Sequence, residues 1–230
     1  MDQADRKISF TRPDGQQAPG YVFPAAAANA PAVVLIQEWW GVNEQIKGVA
    51  RRLADAGYGV LIPDLYRGKL AATGDEANHL MTGLDFPDAV HQDLVGAVDH
   101  AQRYHGKVAV MGFCMGGALT IAAAAHIPTL AAAVCFYGVP PAAIADPTTI
   151  RVPLQCHFAE QDDWCTPAVV ADLEAKLRAG DVPFELHRYD AQHAFLNESR
   201  PEVHDPAAAA LAWQRTLEFL GRHLGSSAAH

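Results

Sequence analysis

Continuously apolar runs of strand length recur along the chain: Val33–Ile36, Gly59–Pro63, Val108–Met111, Ala132–Phe136, Val152–His157 and Phe184–Tyr189. A strand with one face in water alternates apolar and polar positions, whereas a parallel strand covered on both faces stays apolar throughout. Between the runs, apolar residues return at helical spacing over roughly Gln45–Ala56, Asp75–Leu84, Ala89–Tyr104, Gly117–His126, Pro167–Ala179 and Pro206–His223. Gly57 and Gly180 follow the ends of two of these segments, and Pro167 and Pro206 open the last two, where helices favour those residues. The alternation predicts an open, doubly wound α/β sheet, mostly parallel, with helices on both faces. Ile8–Thr11 and Tyr21–Phe23 would add an antiparallel hairpin at its edge. No repeat or linker interrupts residues 1–230, so one domain is expected, with a disordered tail from about residue 225.

At 230 residues the chain is ample for one sizeable core and short for two. Half of it is apolar and its mean hydropathy is near zero, as in a soluble globular protein. A net charge of −9 without a dense Lys/Arg cluster argues against nucleic acid and anionic membranes as partners. The polar start, Met1 to Lys7, carries no secretory signal, and no run reaches the length of a membrane span. The four cysteines, Cys114, Cys135, Cys156 and Cys165, form no C-x-x-C pair and read as reduced thiols of a cytoplasmic protein. They make no recognisable metal-ligand set with the neighbouring histidine, so neither a metal nor another cofactor is expected. Nothing in the sequence decides between a monomer and a weak dimer.

The candidate chemistry begins at Gly112-Phe113-Cys114-Met115-Gly116-Gly117, directly after the apolar run ending at Met111 and before an Ala-rich helical segment. This is a strand-to-helix turn of the G-x-nucleophile-x-G kind, with cysteine where α/β-hydrolases usually carry serine. So sharp a turn needs a strained backbone at the nucleophile and small residues two places either side. The N–H of Met115 would then face a developing oxyanion, together with one near Glu38 or Trp39. In such a sheet ligands bind at the carboxyl ends of the strands. Glu38, the pair Asp162 and Asp163, and His193 each come just after a predicted strand. The order Cys114, Asp162 or Asp163, His193 is the nucleophile–acid–histidine order of that fold.

These residues bring a family with them. Gln37-Glu38-Trp39-Trp40-Gly41-Val42-Asn43, Pro63 to Lys69, Gly112 to Gly117, Phe136-Tyr137-Gly138 and His193-Ala194-Phe195 span nearly the whole chain. On them the chain resembles the dienelactone hydrolases (carboxymethylenebutenolidases), cysteine-nucleophile members of the α/β-hydrolase superfamily. The resemblance implies the α/β-hydrolase fold with a short cap, and cleavage of a lactone or ester. Cys114 would attack the carbonyl, His193 would be its base, and Asp162 or Asp163 would orient the histidine. Counting from the preceding strand favours Asp162, and counting back from Pro167 favours Asp163. Glu38 would contact the thiol in the resting state. Trp40, Tyr66, Tyr137 and Phe195 are the candidates to line the substrate pocket, and Trp39 to lend an oxyanion donor. Family members hold the substrate carboxylate with arginines, one of them four residues after the histidine; that position is Asn197 here. Arg67, Lys69 and Arg200 are the nearest replacements, although surface charge is the plainer reading of each. The alternatives to a dienelactone-type enzyme are a general carboxylesterase or thioesterase, and a non-hydrolytic thiol sensor.

Overall fold

The computed structural model describes residues 5–225, and the tail beyond residue 225 lies outside them. Eight strands are β1 (Arg6–Thr11), β2 (Gln17–Phe23), β3 (Ala32–Ile36), β4 (Gly59–Pro63), β5 (Val108–Phe113), β6 (Ala132–Phe136), β7 (Leu154–Gln161) and β8 (Phe184–Gln192). They form one sheet in the order β1-β2-β4-β3-β5-β6-β7-β8. β3 to β8 pair in parallel, while β1 and β2 form an antiparallel hairpin that continues onto β4. The helices are α1 (Glu44–Asp55), α2 (Gly74–Thr82), α3 (Phe86–Asp88), α4 (Val95–Gln102), α5 (Met115–His126), α6 (Pro167–Ala179) and α7 (Pro206–Leu224). A π-wound turn, Ala89–Leu94, joins α3 to α4.

The apolar strands are explained by two cores. Val34, Ile36 and Val110 pack with Leu119 and Ile121 of α5 and Leu173 of α6 on one face. Their sequence neighbours Val33, Leu35 and Met111 pack with Ile46 and Leu53 of α1 and Phe219 and Leu220 of α7 on the other. Successive strand side chains point to opposite faces, so a sheet covered on both sides needs an apolar residue at every position. Each fully buried Leu, Ile, Val or Phe contributes roughly 1.5–3 kcal/mol relative to exposure. α5 lies deepest: every residue from Met115 to Ala124 is buried.

Elements run further toward the carboxyl edge than the apolar runs indicate. β5 continues through Gly112 and Phe113, which pair with Cys135 and Phe136. α5 starts at Met115 rather than Gly117. Two glycines discourage a helix locally, but close packing of this first turn requires them. α2 is a short helix whose Met81 reaches a cleft at this edge.

The topology itself locates a crevice. From β3 the chain crosses through α1 to β4 on one side, then returns to β5 on the other side of β3. The connections leaving β3 and β5 therefore diverge, which opens a cleft at their carboxyl ends. Glu38 lies just past the end of β3, and Cys114 just past the end of β5.

Candidate active site

Cys114 has φ 56° and ψ −118°, and α5 begins at the next residue. A positive φ on a side-chain-bearing residue costs on the order of 1–3 kcal/mol and must be held by its surroundings. Here the Cys114 N–H donates to the Phe136 carbonyl at 3.0 Å, and the Cys114 carbonyl accepts from the Ala118 N–H at 3.1 Å. A Cβ on Gly112 would sit 2.2 Å from the Gly116 carbonyl oxygen. One on Gly116 would sit 2.5 Å from the Gln37 carbonyl oxygen and 2.6 Å from that of Ile36. Strand β5, helix α5 and the end of β3 thus meet backbone to backbone, and the thiol is pushed to the tip. Cys114 is half-buried, while the other three cysteines are buried.

His193 comes directly after β8, and its Nδ1 lies 2.7 Å from Asp162 Oδ2. The other oxygen, Asp162 Oδ1, accepts from the backbone N–H groups of Trp164 at 2.7 Å and Cys165 at 2.8 Å. Asp162 is thereby oriented from behind. Burial pushes its carboxyl up, but the histidine and the two N–H donors outweigh this and hold it below its ordinary value. Burial likewise pushes the His193 imidazolium down, yet Asp162 and the contact with Cys114 raise it to about 10. The ring of Tyr137 packs edge-on against His193, with centroids 5.1 Å apart. Asp163, the other candidate acid, is exposed and makes no bond to the histidine.

Cys114, His193 and Glu38 share one cleft with Trp39, Trp40, Trp164, Met81, Ala194 and Arg200. Trp39 packs edge-on against both Trp40 and Trp164, at 5.3 and 5.9 Å between ring centroids, and Trp164 is 65% exposed. The three indoles with Met81 make one apolar wall at the mouth. Of the aromatics that the sequence places near strand ends, Trp39, Trp40 and Trp164 line the cleft, while Tyr66, Tyr137 and Phe195 do not. Tyr66 is buried behind the elbow, its hydroxyl donating to Met115 Sδ at 3.3 Å. Tyr137 and Phe195 are buried against each other beneath His193. Met81, which no sequence signal singled out, completes the lining beside the indoles.

Among the candidate cations, Arg67 is consumed elsewhere. Its guanidinium donates to both oxygens of buried Asp93 at 2.8 and 2.9 Å and to the Asp64 carbonyl. Lys69 is exposed outside the cleft. Arg200 lines it, with its Nε on Glu202 at 2.8 Å.

Glu38 also departs from what the resemblance implies. Among the described residues no hydrogen bond joins it to Cys114; instead Glu38 Oε2 accepts from Asn197 Nδ2 at 2.8 Å. Burial raises its carboxyl, opposed by the charges of His193 and Arg200 and by the Asn197 bond. Among the described residues no group of three or more His, Cys, Asp or Glu is placed to hold a metal ion, and no helix is long and apolar enough to cross a membrane.

Both the sequence and the fold have relatives among known proteins. The profile of the dienelactone hydrolase family matches residues 18–224. Protein usf of Aquifex pyrophilus is 35% identical over 223 residues, covering 92% of this chain and 96% of its own. A "putative carboxymethylenebutenolidase" of Aquifex aeolicus is 33% identical over 222 residues, with the same coverage of both chains, 92% and 96%. The crystal structure of a "putative dienelactone hydrolase" from Klebsiella pneumoniae superposes with a TM-score of 0.83 at 26% identity, over 95% of this chain and 99% of that one.

Proposed function

Because this chain belongs to the dienelactone hydrolase family and is a carboxylic ester hydrolase of the α/β-hydrolase fold, we propose that it opens conjugated enol lactones and related esters through a Cys114–His193–Asp162 triad. The observation that carries this reading is the 2.7 Å His193–Asp162 bond beside a thiol on a strained elbow in the same cleft. His193 takes the thiol proton, and the sulfur attacks the carbonyl carbon. The charge that develops on oxygen is met by the Met115 N–H, the first of α5 and without an intrahelical acceptor, and by the Trp39 N–H across the cleft. Collapse of the tetrahedral adduct breaks the ring or ester C–O bond, and His193 returns its proton to the leaving oxygen. The acyl group is then held as a thioester. Water, deprotonated by His193, attacks this thioester and releases the acid and the thiol.

The cleft also supports a substrate class. Three indoles suit a planar, conjugated acyl group or ring, and Arg200 on the same cleft suits an acidic end. A broader esterase specificity is the second reading, favoured by Asn197 at the position of a family clamp arginine. Hydrolysis of a dienelactone and of p-nitrophenyl acetate by wild type and Cys114→Ala tests both. Loss of both activities in the variant supports the thiol mechanism, and full retention refutes it. Ester turnover without lactone turnover in wild type selects the broader specificity.

A further inference from the structure

Glu38 lines the cleft, yet its anchor lies outside the catalytic relay. Its partner Asn197 is buried, and the direction of that amide is settled by its other end. Asn197 Oδ1 accepts from the Ser199 N–H at 3.0 Å and from Ser199 Oγ at 2.6 Å. An oxygen receiving two donors cannot exchange with the NH2 group, so Nδ2 faces Glu38. The Asn197 backbone is tied as well, its N–H donating to the Ala194 carbonyl at 2.8 Å.

Beside Glu38 a second cavity leaves about 10 Å³ for the centre of a water molecule. Glu38, Gln45 and Tyr137 are the polar residues of its lining, and the buried Tyr137 hydroxyl, which favours the charged Glu38 carboxylate, makes no hydrogen bond of good geometry among the described residues. A space of that size with several polar groups suits a single bridging water. Glu38 therefore lines two spaces, the cleft that also holds Cys114 and His193 and this smaller cavity beside Tyr137, and its carboxylate Oε2 is held by Asn197.

We propose that Asn197 is a positioning residue that holds the Glu38 carboxylate off Cys114, so that the resting thiol is left to His193. The proposal rests on the reading of Cys114 as nucleophile. A carboxylate released toward the sulfur would take the thiol proton as a hydrogen-bond acceptor and oppose negative charge on sulfur. In this chain, substrate need not first displace Glu38.

The test is the rate of alkylation by iodoacetamide as a function of pH, monitored by intact mass. Cys114→Ala identifies the labelled site, since the other three cysteines are buried. Asn197→Ala is expected to alkylate about tenfold more slowly on the rising limb, with the profile displaced upward by about one pH unit. In a Glu38→Gln background the same substitution should change nothing beyond about twofold, because the neutral amide no longer opposes the sulfur charge. Ser199→Ala, which loosens the Asn197 amide without removing it, should give a smaller displacement of the same sign and covers the case in which Asn197→Ala does not fold. An unchanged profile in these variants, or a displacement that persists with Glu38→Gln, overturns the proposal. Undiminished ester turnover by Cys114→Ala would instead overturn the nucleophile reading, independently of Asn197.

Discussion

Replacing Asp162 by asparagine changes one atom in the relay, and the hydrogen bonds around the carboxylate determine which atom that is. Oδ1 of Asp162 receives two backbone N–H groups, at 2.7 and 2.8 Å. An asparagine there must keep its oxygen toward those donors, because its NH2 group would meet them donor to donor. Its Nδ2 then faces His193 Nδ1, where a carboxylate oxygen had accepted at 2.7 Å. The imidazole has to become the acceptor at Nδ1, which moves its proton to Nε2. In that tautomer the nitrogen left for the thiol already carries a hydrogen and cannot act as base. The same swap in Ser-His-Asp triads costs roughly 10⁴-fold. A thiol gives up its proton more readily than a hydroxyl, so a loss of about 10² to 10⁴ in kcat/KM is expected, or ~3 to ~5 kcal/mol. The assay is p-nitrophenyl acetate hydrolysis at about pH 7.5, with Asp163→Asn as the paired variant and circular dichroism as the check on folding. Asp163 is exposed, so its variant should stay within about twofold of wild type. Asp162→Asn retaining more than a tenth of wild-type kcat/KM, or an equal loss in Asp163→Asn, would refute the reasoning.

Arg200→Met should raise KM for an anionic lactone by roughly 10- to 100-fold, since one charge-assisted contact is worth about 1.5–3 kcal/mol, and leave a neutral aryl ester within about threefold. Equal effects on both substrates would argue that Arg200 shapes the cleft without reading charge. Glu38 makes stability depend on pH, because burial raises its folded carboxyl above 4.5. Between the unfolded and folded values the native state binds more protons, so wild type loses stability as pH rises through that window. Glu38→Gln removes the loss. Its melting temperature relative to wild type should therefore climb as pH rises above the ordinary value of 4.5, and a constant difference across that rise would count against a raised carboxyl.

The fold was legible because parallel strands covered on both faces leave an unambiguous mark, and all six apolar runs correspond to strands of the sheet. The Cys114 elbow, His193 and the two candidate acids Asp162 and Asp163 were legible for a related reason, and only the structure selects Asp162 as the partner of His193. Each stands immediately after a strand, and the topology sends those ends to one edge. What the pattern could not show is which way a loop side chain turns. Trp40, Tyr66, Tyr137, Trp164 and Phe195 are all aromatics just beyond or close to strand ends, yet only Trp40 and Trp164 reach the cleft. Tyr137 has φ 37°, and Phe195 comes after Ala194 at φ 66°. A single residue with left-handed backbone reverses the direction of the chain locally, and here it carries both rings beneath His193 into the core. Composition and spacing hold no record of that reversal. Counting from the histidine fails in the same way for the cation that lines the cleft. Asn197 occupies the counted position, but the Arg200 N–H donates back to the Asn197 carbonyl at 3.1 Å. That turn brings residue 200 to the cleft while residue 197 is buried behind Glu38. The cation and the anchor for Glu38 are thus divided between two residues of one turn. Arg200 therefore acts on Glu38 only through its charge, and the hydrogen bond to the carboxylate is left to Asn197.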